Sequence, residues 1–238
     1  MVNLSDLMGM AIAVVLAGSG VPAYAYEETT VENPGTVSGA VTLRGGAPAS
    51  EELKVTKDKR VCAKTPKYDQ SLLVADGKVA NAVVRITDIK KGKPLVKDKV
   101  VLDQKGCEYQ PHVLTVTTGA PVVVLNPDRI FHNVHTYSEK NAPINKAMPK
   151  FKKKLTVRFK ESEAISVKCD AHGWMSAWLF VTDNPYYSVT DELGRFTVAD
   201  VPPGKYTLEV WHETLGKQTK PITVEPNGQV KVDFAMSR

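Results

Sequence analysis

Cysteine is scarce in this chain. There are three in 238 residues, and none sits in a Cys-x-x-Cys pair that would frame a structural zinc site. Long apolar runs are missing as well: the longest, LMGMAIAVVLAG near the N-terminus, falls short of the length that spans a bilayer. No stretch carries an apolar stripe at helical spacing, which argues against a helical bundle. There is no low-complexity tract, no Met- or His-rich segment and no aromatic-plus-basic or DNA-reading motif, so the moderate net charge of +5 implies no nucleic-acid partner. Neither a His-Glu zinc motif nor a nucleophile constellation is present, and the chain is expected not to be an enzyme. What remains is long enough for one large or two small hydrophobic cores.

The first 25 residues read as an export signal, with the apolar run followed by the small-x-small pattern Ala23-Tyr24-Ala25. Two departures stand out. MVNLSD has no Lys or Arg, and Ser19 occupies the place where a lipoprotein would need its cysteine. The expectation is a periplasmic or otherwise extracytoplasmic protein with no membrane span after cleavage. In that oxidising setting two of three cysteines should pair. Cys62 and Cys107, in the similar contexts RVCAK and KGCEY, are the disulfide candidates, and three buried free thiols are the alternative.

Nearly every segment alternates apolar and polar residues with period two, broken by glycine-rich turns. VSGAVTLRGG, HVLTVTTGAPVVVLN, FHNVHTYS, AISVKC and SAWLFVTD are the clearest strands. The fold class is therefore all-β, with two sandwiches and a seam near Asn184-Pro185.

Against that background VKCDAHGWM places Cys169, His172 and Met175 within seven residues, on a loop leaving a core strand. Alternation in AISVKC turns Ile165, Val167 and Cys169 to one face. In FHNVHTYS, His132 shares a face with Val134, while Asn133 and His135 point the other way. A thiolate, two imidazoles and a thioether are the ligand set of a blue-copper electron-transfer centre. Half of a zinc site and plain packing are the competing readings.

NPDRIFHNVH together with KCDAHGWM resembles the cupredoxin pattern, and the short Cys-x-x-His-x-x-Met spacing is similar to the amicyanin loop. The resemblance runs from about Pro111 to Asp183. It implies a Greek-key sandwich holding one type 1 copper ion through His132, Cys169, His172 and Met175, with Asn133 steadying the Cys169 loop. It also implies a one-electron carrier whose partner is a redox protein such as a cytochrome or a dehydrogenase. Copper trafficking or storage, and a surface module with a vestigial site, are the alternatives.

SVTDELGRFTVADVPPGKYTLEV resembles carboxypeptidase regulatory-like, transthyretin-type sandwiches, and VSGAVTLRGG is similar to that module's opening strands. The tail alone offers too few strands to close a sandwich. The expected organisation is a signal at 1–25, N-terminal strands at 26–105 completing the second, smaller sandwich, a cupredoxin domain at 106–184, and the regulatory-like sandwich at 185–238. His112 and His212 are expected as core histidines, with an accessory metal role as the alternative, and His135 as a candidate for a second copper site. In KFKKKLTVRFK the cations Lys154, Arg158 and Lys160 share one face. They are read either as a solvated strand face that discourages edge pairing or as a docking strip. Trp174 is a candidate for an apolar partner-contact patch around His172, the expected electron exit, while Trp178 is expected in the core.

Overall fold

The computed structural model describes residues 26–238, so the expected export signal lies outside the described residues. Strands dominate, and the single helix among the described residues is one turn, Lys59–Cys62. Four principal sheets form two sandwiches.

One sandwich holds a five-stranded sheet ordered Val113–Thr117, Ser176–Thr182, Glu163–Lys168, His132–Tyr137, Asn145–Met148. Facing it is a four-stranded sheet ordered Tyr109–Gln110, Val100–Gln104, Val122–Leu125, Lys154–Val157. Val113–Thr117 runs parallel to Ser176–Thr182, and Val100–Gln104 runs parallel to Val122–Leu125, while the other pairings are antiparallel. Leu102, Val122, Val124, Ile165, Val167 and Leu179 fill the space between. Burying one such side chain fully is worth about 1.5–3 kcal/mol, more than the roughly 1 kcal/mol span of strand propensity. Burial therefore sets the register, and a one-residue slip would turn each inward set to solvent.

The second sandwich pairs Tyr187–Val189, Val83–Ile86, Gly204–His212 and Gly216–Val224 in one sheet. The other sheet orders Arg195–Val201, Gly35–Leu43, Lys78–Val79 and Val74–Ala75, with Gln229–Lys231 and Phe234–Met236 joining Gly35–Leu43 in parallel. Gly35–Leu43 and Val83–Ile86 thus sit inside the sheets built by the last quarter of the chain. Gly39 shows why the central strand needs a glycine: a Cβ there would meet the Val232 carbonyl oxygen at 1.9 Å.

The strand assignment corrects the expected boundary at 105. Val100–Gln104 belongs to the first sandwich through its pairing with Val122–Leu125, because its alternation suits that core as well as the other. The first sandwich also recruits a segment from between Leu43 and Val74. There Glu52–Leu53 pairs with Lys67–Tyr68 to frame a cap, and Cys62 enters the core beside Cys107.

Ile86 and Tyr186 mark where the chain leaves and rejoins the second sandwich. The Ile86 amide donates to the Tyr186 carbonyl at 3.0 Å, and Asn184 Nδ2 donates to the Ile86 carbonyl at 3.0 Å. The sandwiches meet through Val83, Val113, Phe180 and Trp211. Trp211 lies 5.1 Å from the Trp178 ring and 5.3 Å from Phe180. This contact explains why alternation fails in Ser176–Thr182, whose last four residues are all buried: each face of the strand has a core to meet. Trp178 is half-buried at this junction, and its Nε1 donates to Glu213 at 2.8 Å.

Candidate metal centre

Three elements converge at one end of the first sandwich. His132 opens its strand, Cys169 follows the last residue of Glu163–Lys168, and His172 and Met175 sit on the turn into Ser176–Thr182. Backbone bonds shape that turn: the His172 amide donates to the Cys169 carbonyl at 3.3 Å, Met175 to His172 at 2.9 Å, and Cys169 to Met175 at 3.2 Å. All four residues are buried.

His132 Nδ1 stands 3.0 Å from His172 Nδ1, and Cys169 Sγ stands 3.7 Å from His172 Nδ1. The remaining ring nitrogens are committed to carboxylates. His132 Nε2 lies 3.1 Å from Asp128 Oδ2, and His172 Nε2 lies 2.9 Å from Asp58 Oδ2. A carboxylate accepts, so each Nε2 carries the proton and each Nδ1 presents a lone pair. Two lone pairs and a sulfur therefore face one another across a dry space, an arrangement that a shared cation satisfies. That cation is either a proton on one ring or a metal ion held by all three groups. Ligand bonds of about 2.0 Å to nitrogen and about 2.3 Å to sulfur span a nitrogen–nitrogen edge of roughly 3.1 Å at an angle of about 100° and a nitrogen–sulfur edge of roughly 3.7 Å at a near-trigonal angle, so the donor set fits a metal ion.

The protonation balance agrees. Burial pushes the Cys169 thiol up, but hydrogen bonds from His132, His172 and the Asn133 and His172 backbone outweigh it and bring the thiol to about 6. His132 is held above the ordinary imidazole value: burial opposes this, and the hydrogen bonds to Asp128 and Cys169 prevail. Asp128 lies below the carboxylate range despite its burial because His132 and the Gly106 and Cys107 amides all donate to it. Gly106 and Cys107 both have positive φ, which turns their two amides onto this one side chain at 2.7 Å each.

Asn133 braces the loop from the other face of the same strand. Its Oδ1 accepts the Asp170 amide at 2.7 Å, while its Nδ2 donates to Asn145 at 2.8 Å and to Asp170 at 3.0 Å. Truncating Asn133 to alanine strands the Asp170 amide in a partly buried position. The unfolding free energy in denaturant is expected to fall by about 1–3 kcal/mol; an unchanged denaturation midpoint would show that the loop stands without it. Tyr109 hydroxyl donates to the Asn133 carbonyl at 2.6 Å and clamps that strand to the facing sheet. Met148 is the other buried thioether of this core, but it accepts Gln104 Nε2 at 3.4 Å, which leaves Met175 on the Cys169 loop as the thioether candidate.

Several expectations need correction. His172, the expected electron exit, is fully buried. Above it lies the 51–70 cap, whose Asp58 bonds its Nε2 and which is anchored by the Cys62–Cys107 disulfide. Trp174 therefore does not form an open contact patch. It is half-buried, 5.1 Å from the His172 ring, and its Nε1 donates to the Cys107 carbonyl at 3.1 Å. His135 is brought to Asp170 Oδ1 at 3.0 Å and stacks on Tyr137, away from the cluster. His112 is buried and pairs with Glu213, and His212 is buried and held below its ordinary value by desolvation. Lys154, Arg158 and Lys160 are exposed along and beyond the sheet-edge strand Lys154–Val157.

Asp128, Asp58 and Tyr109 had not been singled out. Asp128, four residues before His132, was within reach of local reasoning; Asp58, 114 residues from His172, had no local signal.

Residues 179–237 match the carboxypeptidase regulatory-like domain, a span whose first four residues finish a strand of the first sandwich. Solved structures similar to part of the chain include oxidised amicyanin carrying a proline substitution. It is 24% identical, with 37% of this chain and 86% of that one covered at a TM-score of 0.33. A reduced Cu(I) amicyanin variant is 22% identical over 37% and 86%, with a TM-score of 0.33. A copper-containing nitrite reductase from Thermus scotoductus SA-01 is 18% identical over 42% and 25%, with a TM-score of 0.34. No curated protein sequence matches the chain. The chain resembles a cupredoxin set into a carboxypeptidase regulatory-like sandwich. Strand order and the buried His-Cys-His cluster describe the cupredoxin-like part, and sheet pairing describes the other.

Proposed function

We propose that the protein is an exported one-electron carrier that holds a single type 1 copper ion through Cys169, His132, His172 and Met175. The observation that carries this reading is the inward pairing of both Nδ1 atoms beside the Cys169 sulfur, with each Nε2 tied to a carboxylate. When bound, copper supplies a Cu(II)/Cu(I) couple; the soft thiolate suits the reduced ion and the imidazoles suit both states. Asp58 and Asp128 orient the rings and raise their basicity. Asn133 and Tyr109 fix the loop and strand that carry the ligands. A site drawn from several strands of a stiff sandwich changes little between oxidation states, which keeps electron transfer fast. The physiological partner is a redox protein, a cytochrome or a dehydrogenase in the proposed reading. The disulfide supports an extracytoplasmic location, because such bonds persist in oxidising compartments.

Copper trafficking would call for an open, exchangeable site. Burial of His172 under a disulfide-anchored cap disfavours that alternative.

The test is the visible spectrum of residues 26–238 loaded with Cu(II). An intense blue or green thiolate-to-copper band is expected. A colourless protein that binds Cu(I) alone would move the reading to trafficking, and no copper binding at all would end it.

A further inference from the structure

The cap over His172 does more than exclude water. Asp58 sits at its tip with φ 45°, a backbone conformation that a non-glycine residue seldom adopts. Local strain of this kind persists only where surrounding contacts hold it, and it concentrates at functional positions. The Asp58 carboxylate spans the thickness of the cap: one oxygen bonds the buried His172 Nε2 at 2.9 Å, yet the side chain is 48% exposed. One hydrogen bond thus joins the His-Cys-His cluster to an exposed carboxylate on the cap.

The surface around that point is basic. Lys54, Lys57, Lys59, Arg60 and Lys64 are all exposed, and Asp58, engaged by His172, is the sole carboxylate in residues 54–64, with the exposed Glu51 and Glu52 at the start of the cap. The cap's remaining lysine, Lys67, is buried against Glu108 at 3.2 Å and does not contribute outward charge. The disulfide and the short Glu52–Leu53 and Lys67–Tyr68 pairing hold this charge in place over the centre. A cluster of cations on the segment that carries Asp58 selects a negatively charged partner and speeds its arrival.

We propose that the cap is the docking face for an acidic redox protein, and that Asp58 extends the expected electron exit at His172 to that face. The proposal rests on the copper reading above. One electron passes from the reduced centre to the oxidised acidic partner; no bond is made or broken, and the partner is the oxidant. Lys154, Arg158 and Lys160 then serve the sheet edge rather than docking.

Two charge-reversed proteins test this. One carries Lys57→Glu, Lys59→Glu and Arg60→Glu on the cap. The other carries the same charge change on the second sandwich, as Lys205→Glu, Lys217→Glu and Lys231→Glu, all exposed residues. The copper-free proteins are titrated with polyglutamate at low ionic strength. The copper-loaded, reduced proteins are mixed with ferricyanide, an anionic one-electron oxidant. The cap set is expected to lose about tenfold or more in both polyglutamate affinity and oxidation rate, with the difference disappearing in high salt. The second-sandwich set should lose far less. Equal losses in the two sets, or none in the cap set, would overturn the proposal. So would cap-dependent binding to anionic phospholipid vesicles with no cap dependence on polyglutamate, which would assign the face to a membrane. If the reversed cap fails to fold, the glutamine set at the same three positions carries the test with a smaller expected loss. Failure of the copper reading would appear separately as a missing thiolate band in the unaltered protein, while the polyglutamate comparison still reports on the face.

Discussion

Replacing Cys169 with alanine is expected to abolish the visible band of the Cu(II)-loaded protein and to weaken copper binding by more than about 100-fold. That exceeds the 10–100-fold seen when a residue behind a ligand is lost. The physical reason is the composition of the donor set. His132 and His172 each offer one nitrogen, and Met175 offers a weak thioether, so the thiolate is the single strong anionic donor inside a buried site. The band arises from charge transfer between that sulfur and the metal and has no other source among these residues. The same substitution removes the sulfur that the Asn133 backbone amide bonds, while the His172 amide keeps the residue 169 carbonyl. A further loss of about 1–3 kcal/mol in the metal-free protein follows. Absorption spectroscopy, with competition by a Cu(I) chelator alongside, makes the measurement. A variant that keeps its band would place copper elsewhere.

The second large effect concerns the cap. Replacing Cys62 and Cys107 together with alanine opens a loop of 45 residues. The chain-entropy account puts the lost stability at about 4 kcal/mol. The other fastenings are one turn of helix, a pair of two-residue strands, Val55 and Val61 packed on the core, the buried Lys67–Glu108 ion pair and the Asp58–His172 hydrogen bond. Two results are therefore expected of the double variant. Its denaturation midpoint falls, and amides near Asp58 and His172 exchange with solvent much faster while the sheet strands remain protected. A loss under about 1 kcal/mol with unchanged exchange would mean that packing alone holds the cap, in conflict with the entropic account.

The elements differ in how far they could be read in advance. Period-two alternation is a local property, and the strands Gly35–Leu43 and Glu163–Lys168 follow it from sequence to structure. The Cys-x-x-His-x-x-Met spacing is local too, since three backbone bonds within seven residues form the loop. Alternation failed where a strand has two covered faces, as at the end of Ser176–Thr182, because a polar side is wanted only where water lies on that side. It also could not say which sandwich would claim Val100–Gln104, whose pattern suits either core.

By itself, then, the sequence determined the strand-rich class, the position of the Cys169 loop, the inward face of His132 and the two cysteines able to pair. Tertiary structure alone decided that Val100–Gln104 joins the first sandwich, that Asp128 collects two amides and an imidazole, and that a basic cap closes over His172. Asp58 reaches His172 across 114 residues. No periodicity or spacing encodes such a contact, because loop closure over that length depends only weakly on the intervening chain. What brings the two together is the burial of Cys62 against Cys107 and the docking of the cap on the sandwich, and these exist only once both sheets have formed.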